Sequence, residues 1–146
     1  MDAPTLFRQF DPASIDLVLV DAICATGLPG MERLDVGEHL RRVNDLAASC
    51  RQFTESVMAH FWARQCDYPE SEGKFRIQAL VTHVQRDLGL RYHPERRKEE
   101  AFCHEDSFLD GILFGRGGTC GSLPLLYTAV GRRLCYPIKL VTTSTV

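Results

Sequence analysis

The chain contains no apolar run approaching the 18 or so residues a membrane span needs. Its opening, Met1-Asp2-Ala3-Pro4-Thr5-Leu6-Phe7, has no basic segment leading into an apolar one, so no secretory leader is read and a cytoplasmic protein is expected. Basic charge is not in excess either. Seventeen Lys and Arg against nineteen Asp and Glu give a net charge of -2, which argues against nucleic acid or a membrane surface as a partner. The one basic run, Arg91, Arg96, Arg97 and Lys98, is diluted by Glu95, Glu99 and Glu100 and reads as a solvated connection. Low-complexity tracts and repeats of fixed period are missing, which argues against solenoids and against disorder except at the ends. The 146 residues make one ordinary domain. None of the six cysteines (24, 50, 66, 103, 120, 135) forms a C-x-x-C pair, so free thiols in a reducing compartment are expected, with no cofactor.

Against these absences stands Gly115-Arg116-Gly117-Gly118-Thr119-Cys120-Gly121-Ser122, a glycine-rich turn that delivers a cysteine to the start of an amphipathic helix. Leu123, Leu126, Tyr127, Val130 and Leu134 fall on one face of a 3.6-residue period. Pro124 belongs in the first turn, where a missing N–H costs nothing, so the N-cap is expected near Gly121 with Cys120 just outside it. Unpaired N–H groups and the positive end of the helix dipole favour a thiolate there, which makes Cys120 the candidate nucleophile. The sharp turn calls for a positive φ at Gly117 or Gly118.

The rest of the chain reads as helices. Asp11-Pro12 opens the first, with the stripe Ile15, Val18, Leu19, Ala22 and Ile23, and Gly27 with Pro29 closes it. Asp35 and Glu38 start a second, carrying Val36, Leu40, Val43, Ala47, Cys50, Thr54, Val57 and Phe61 to about Gln65, with a break expected around Ser49 to Thr54. A third runs from about Lys74 to Leu88, carries Ile77, Leu80, Val81, Val84 and Leu88 on one face and stops at Gly89. Ser107 with Asp110 caps a short helix holding Phe108, Leu109, Ile112 and Leu113. After the Cys120 helix, Ile138 to Thr143 is β-branched and reads as one strand without a partner upstream, so either it pairs with a second copy of the chain, as self-association, or the domain continues in a longer parent.

The glycines do not make a phosphate loop, because no Lys-Ser or Lys-Thr follows them, and Leu126 stands where a cysteine phosphatase needs arginine. A generic anion site on the helix N–H groups is the weaker alternative. A zinc site from Cys103, His104 and Cys120 is a further alternative, with no metal as the first reading. Cys24, Cys50 and Cys135 are expected to be small buried hydrophobes. His39, His60 and His83 fall within helices as surface or half-buried residues, whereas His93 and His104 lie in the irregular stretch and are the candidates to approach Cys120.

The stretch Ser107-Phe-Leu-Asp-Gly-Ile-Leu-Phe-Gly-Arg-Gly-Gly-Thr-Cys120-Gly-Ser-Leu-Pro-Leu-Leu-Tyr127, continued by Arg132-Arg133-Leu134-Cys135-Tyr136-Pro137-Ile138-Lys139-Leu140-Val141, resembles the transglutaminase-like superfamily. It is similar above all to the bacterial branch with a helical N-terminal region and, often, a tetratricopeptide-like extension. Arg76 to Leu90 resembles that branch's upstream helix. The resemblance implies an α+β fold, mostly helical in this chain, with a helical region over about 11–90 and the start of a papain-like or transglutaminase-like core over about 100–146. It makes Cys120 the nucleophile, with Gly118, Gly121 and Ser122 at the turn that holds the oxyanion and a protein or peptide as substrate. The family's histidine and acidic residue would follow on later strands, beyond Val146. The expected function is therefore the nucleophile half of a thiol acyl-transfer or amide-hydrolysing site, inactive as this chain. The alternative is a non-catalytic binding or regulatory domain on the same fold.

Overall fold

The structure, a computed structural model, describes residues 15–64 and 71–141. It is mostly helical, and among the described residues there is no strand. Helix α1 spans Leu17–Ala25, and its N-cap is Asp16, whose Oδ1 accepts the Val18 N–H at 2.9 Å. The expected start at Asp11-Pro12 lies outside the described residues. Helix α2 spans Val36–Ala63, with Asp35 Oδ1 accepting the Glu38 N–H at 3.1 Å as the capping spacing requires. It runs unbroken through Ser49 to Thr54, for about 42 Å at 1.5 Å per residue. The expected break is absent because inward positions continue across it: Val43, Leu46, Ala47, Cys50, Thr54, Met58 and Phe61 are all buried. The expected end at Gln65 lies outside the described residues.

Helix α3, Glu72–Thr82, begins two residues before the expected Lys74, because Ser71 Oγ accepts the Lys74 N–H at 3.3 Å. It continues through His83–Asp87 as a π-turn, in which the Leu88 N–H reaches His83 O at 3.0 Å, and Gly89, at φ +70°, ends it. Leu80 and Val84 face the core, while Ile77 and Leu88 stay 36% and 39% exposed. The short α4, Leu109–Leu113, is capped from across the molecule: Asp21 Oδ2 of α1 accepts the Leu109 N–H at 2.9 Å. Ser107 is not its cap. It closes the 3₁₀ turn His104–Ser107 instead. Helix α5, Ser122–Arg133, ends in a Schellman turn, with Tyr136 N–H on Gly131 O at 2.9 Å and Cys135 N–H on Arg132 O at 3.0 Å. Cys135 fills the left-handed position at φ +60°.

α2 is the spine against which α1, α3, α4 and α5 pack. Val18, Val43, Cys50, Leu80, Val84, Leu109, Ile112, Leu126 and Val130 form one continuous core. The inward face of α5 is the expected one, since Leu123, Leu126, Val130 and Leu134 are all buried. α1 differs: Val18, Ala22 and Ala25 point inward, while Leu19 and Ile23 are 40% and 59% exposed. An apolar stripe broader than one face cannot fix its own phase. Ile138 folds back over Gly131 rather than extending into a ladder, and Val141 is exposed. Residues 138–141 therefore form no strand, and 142–143 lie outside the described residues. The one β-type contact among the described residues is a parallel bridge between Tyr92 and Gly118.

Candidate functional site

The turn from α4 to α5 is braced from three sides. Gly115 and Gly117 take φ of +92° and +93°, the left-handed region that favours glycine. Gly117 is doubly constrained, because a Cβ there would stand 2.5 Å from His93 Cδ2. The segment at 91–93 straps the turn through His93 N–H on Gly118 O at 2.8 Å and Gly118 N–H on Arg91 O at 3.0 Å.

Beneath the turn lies Asp106, whose side chain is fully buried. Its carboxylate accepts from Arg116 Nε at 3.1 Å, from the Cys103 N–H at 3.0 Å and from Cys103 Sγ at 3.3 Å. The Arg116 guanidinium also reaches Cys103 Sγ. Burial pushes the Asp106 carboxyl up, but the hydrogen bonds from Arg116 and Cys103 outweigh it and hold the group below the usual carboxylate range. The Cys103 thiol moves the other way, to about 11, first through burial and then through its carboxylate neighbours Asp106 and Glu105. Cys103 Sγ thus donates to Asp106 within this cluster.

Thr119 joins this cluster to α5. Its Oγ1 donates to Asp106 O at 2.8 Å, and the same oxygen faces the Gly121 and Ser122 N–H groups, each at 3.3 Å. The Thr119 N–H donates to Ser122 Oγ at 3.0 Å, and the Leu123 N–H to Thr119 O at 3.1 Å. These are the bonds of an N-cap, and Gly121 already has helical angles, φ -88° and ψ -56°. Gly121 is the N-cap, as expected, with Cys120 just outside the helix, and Thr119 supplies the capping side chain from two residues upstream.

Cys120 is exposed, and among the described residues its Sγ makes no hydrogen bond. The three turn residues expected around an oxyanion are spent locally: Gly118 N–H on Arg91 O, Gly121 and Ser122 N–H on Thr119 Oγ1. Neither histidine of the irregular stretch bonds to Cys120. His93 packs on Gly117, and His104 is exposed at the start of its 3₁₀ turn. Cys103, His104 and Cys120 do not form a metal-binding group, nor do any three His, Cys, Asp or Glu among the described residues.

Two expectations about other residues are corrected here. Cys50 is buried, but Cys24 and Cys135 are exposed, because α1 turns its Cys24 side outward and Cys135 sits on the tip of the Schellman turn. Cys66 lies outside the described residues. His39 is not a surface residue: at 1% exposure it holds Asp35 O through Nδ1 at 2.7 Å and places Nε2 3.1 Å from Asp110 Oδ1. Sequence reasoning also missed Asp106, Arg116 and Thr119. The Thr119-x-x-Ser122 spacing is a capping signal that marks Thr119, whereas nothing local marks Asp106.

No described helix is long and apolar enough to cross a membrane. No protein-family model, curated protein or solved structure matches the chain.

Proposed function

We propose that the glycine turn and α5 form the nucleophile-bearing half of a transglutaminase-like or cysteine-protease-like α+β domain, in which Cys120 attacks a carboxamide or peptide carbonyl. The observation that carries this reading is the placement of Cys120: exposed, one residue after the capping Thr119, on a turn anchored to buried Asp106. The dipole end of a 12-residue helix favours negative charge at that point. The rigid anchor holds the sulfur in one place, which a nucleophile needs. In this reading the general base comes from outside the described residues, and the acyl group is that of a protein or peptide.

A second reading has its own support. The N–H groups that would hold an oxyanion already have acceptors in Arg91 O and Thr119 Oγ1, as a scaffold for binding or regulation would have them. Under it Cys120 is an ordinary exposed thiol.

A brief iodoacetamide pulse near neutral pH, followed by peptide mapping, separates the two. Cys24 and Cys135 serve as internal controls because they too are exposed. Preferential alkylation of Cys120 supports the nucleophile reading. Equal labelling of the three, or faster labelling of a control, supports the scaffold.

A further inference from the structure

Away from the Cys120 turn, three side chains stand in the order nucleophile, base and carboxylate. Ser49, midway along α2, has its Oγ 2.8 Å from His83 Nε2, and His83 Nδ1 is 3.0 Å from Asp87 Oδ2. A carboxylate only accepts, so in the neutral ring the proton sits on Nδ1 and Nε2 is left to accept the Ser49 hydroxyl proton. The ring is fixed in that orientation by Phe53, which stacks on it at 4.6 Å and 9°. Asp87 is itself held by Arg86 Nε at 2.8 Å, and Arg86 first and His83 second keep its carboxyl below the usual range. His83 and Asp87 open and close the π-turn, a helix irregularity that occurs often at functional sites. Ser49 is partly exposed and lines a cavity of about 350 Å³, whose other lining residues are four leucines, 46, 88, 90 and 113, together with the charged Arg41, Arg42 and Asp45.

We propose that Ser49, His83 and Asp87 form an acyl-transfer site for carboxylic esters with an apolar acyl chain, the leucine walls taking the chain. Ser49 Oγ bonds to the acyl carbon while its proton passes to His83 Nε2. The ester C–O bond breaks, and the leaving alkoxide takes that proton away as the alcohol. Water then adds to the acyl-serine, giving a proton to Nε2. The acyl–Oγ bond breaks, Ser49 recovers the proton and the carboxylic acid departs. Asp87 positions the ring by holding Nδ1–H. Backbone N–H groups around Ser49 are tied up within α2, so the tetrahedral oxygen has no backbone donor and turnover is slow enough to require an activated ester.

The test uses the whole chain with its exposed thiols blocked by iodoacetamide. A fluorophosphonate probe should leave a single phosphonyl group, mapped by mass spectrometry to Ser49. Hydrolysis of p-nitrophenyl butyrate should be saturable and fall about 100-fold or more in Ser49→Ala and His83→Asn, the range lost with a general base. Asp87→Asn should lower kcat with KM unchanged, and Asp87→Glu should restore part of it. Labelling requires no variant, so a poorly folded variant leaves that readout intact. An unlabelled Ser49, or turnover in a folded Ser49→Ala equal to the parent, overturns the proposal.

Discussion

Thr119 Oγ1 donates a 2.8 Å hydrogen bond to the carbonyl oxygen of Asp106, and this bond fastens the start of α5 to the buried acidic cluster below it. The same oxygen caps two N–H groups of the helix, so one side chain sets both where α5 begins and where it is anchored.

Replacing that hydroxyl by a methyl group should be costly. Thr119→Val keeps the volume but leaves a buried carbonyl and two helix N–H groups without their partner, for a loss of about 1–3 kcal/mol in chemical denaturation. Thr119→Ser keeps the hydroxyl and should stay near the parent. An unchanged unfolding midpoint in the valine variant would mean that the cap is supplied elsewhere.

Leu126 is fully buried at the centre of the inward face of α5, against the α2 spine. Leu126→Ala should destabilise the chain by about 2–5 kcal/mol through lost transfer energy and the cavity left behind. The check is an equilibrium urea titration with the slope held in common. A shift well under 1 kcal/mol would place the residue at a collapsible site.

Cys135 holds the left-handed position of the α5 C-terminal turn at φ +60°, a place that costs a side chain about 1–2 kcal/mol and glycine nearly nothing. Since the residue is also exposed, Cys135→Gly removes little contact area. The variant should melt several degrees higher than the parent, while Cys135→Val should melt lower. Equal melting temperatures for the two would show that the turn is not strained.

Asp21 is raised to about 6, chiefly because burial penalises its charge and although the Leu109 N–H opposes this. A carboxyl whose folded pKa lies above its unfolded value stabilises the fold most below the unfolded value, and this contribution is lost as pH rises through the folded one. Asp21→Asn mimics the protonated form and can still accept the Leu109 N–H. The variant and parent should therefore be equally stable near pH 3.5, with the variant pulling ahead between pH 4 and 7. A difference that does not change with pH over that range would rule out Asp21 as the titrating group.

Much of this architecture is legible in the sequence. Asp35 with Glu38, Gly89 and the periodicity of residues 123–134 each announce a helix start, stop or face through hydrogen bonds and angles made within a few residues. The positive φ at Gly117 follows from the same local reasoning, as does the position of Cys120 beside a helix start. The site was less legible than the fold. Gly118, Gly121 and Ser122 were readable as turn residues, but the acceptors that take up their N–H groups were not.

The division has a physical basis. Caps, turn angles and apolar periodicity are decided by neighbours in sequence, so the chain by itself determines that it is built mostly of helices, where most of them end, and that a glycine turn carries Cys120 to the start of the last of them. Side-chain partnership is decided by packing. Asp21 reaches α4 across 88 residues, Ser49 meets His83 across 34, and Thr119 finds Asp106 across 13. Such pairs form only once helices with fixed faces are laid against α2, because each buried polar group must then take whatever partner the packed helices bring within reach. The outward turn of α1, the burial of His39 and the fold-back of Ile138 over Gly131 are settled in that step, by the space left between helices rather than by the residues on either side.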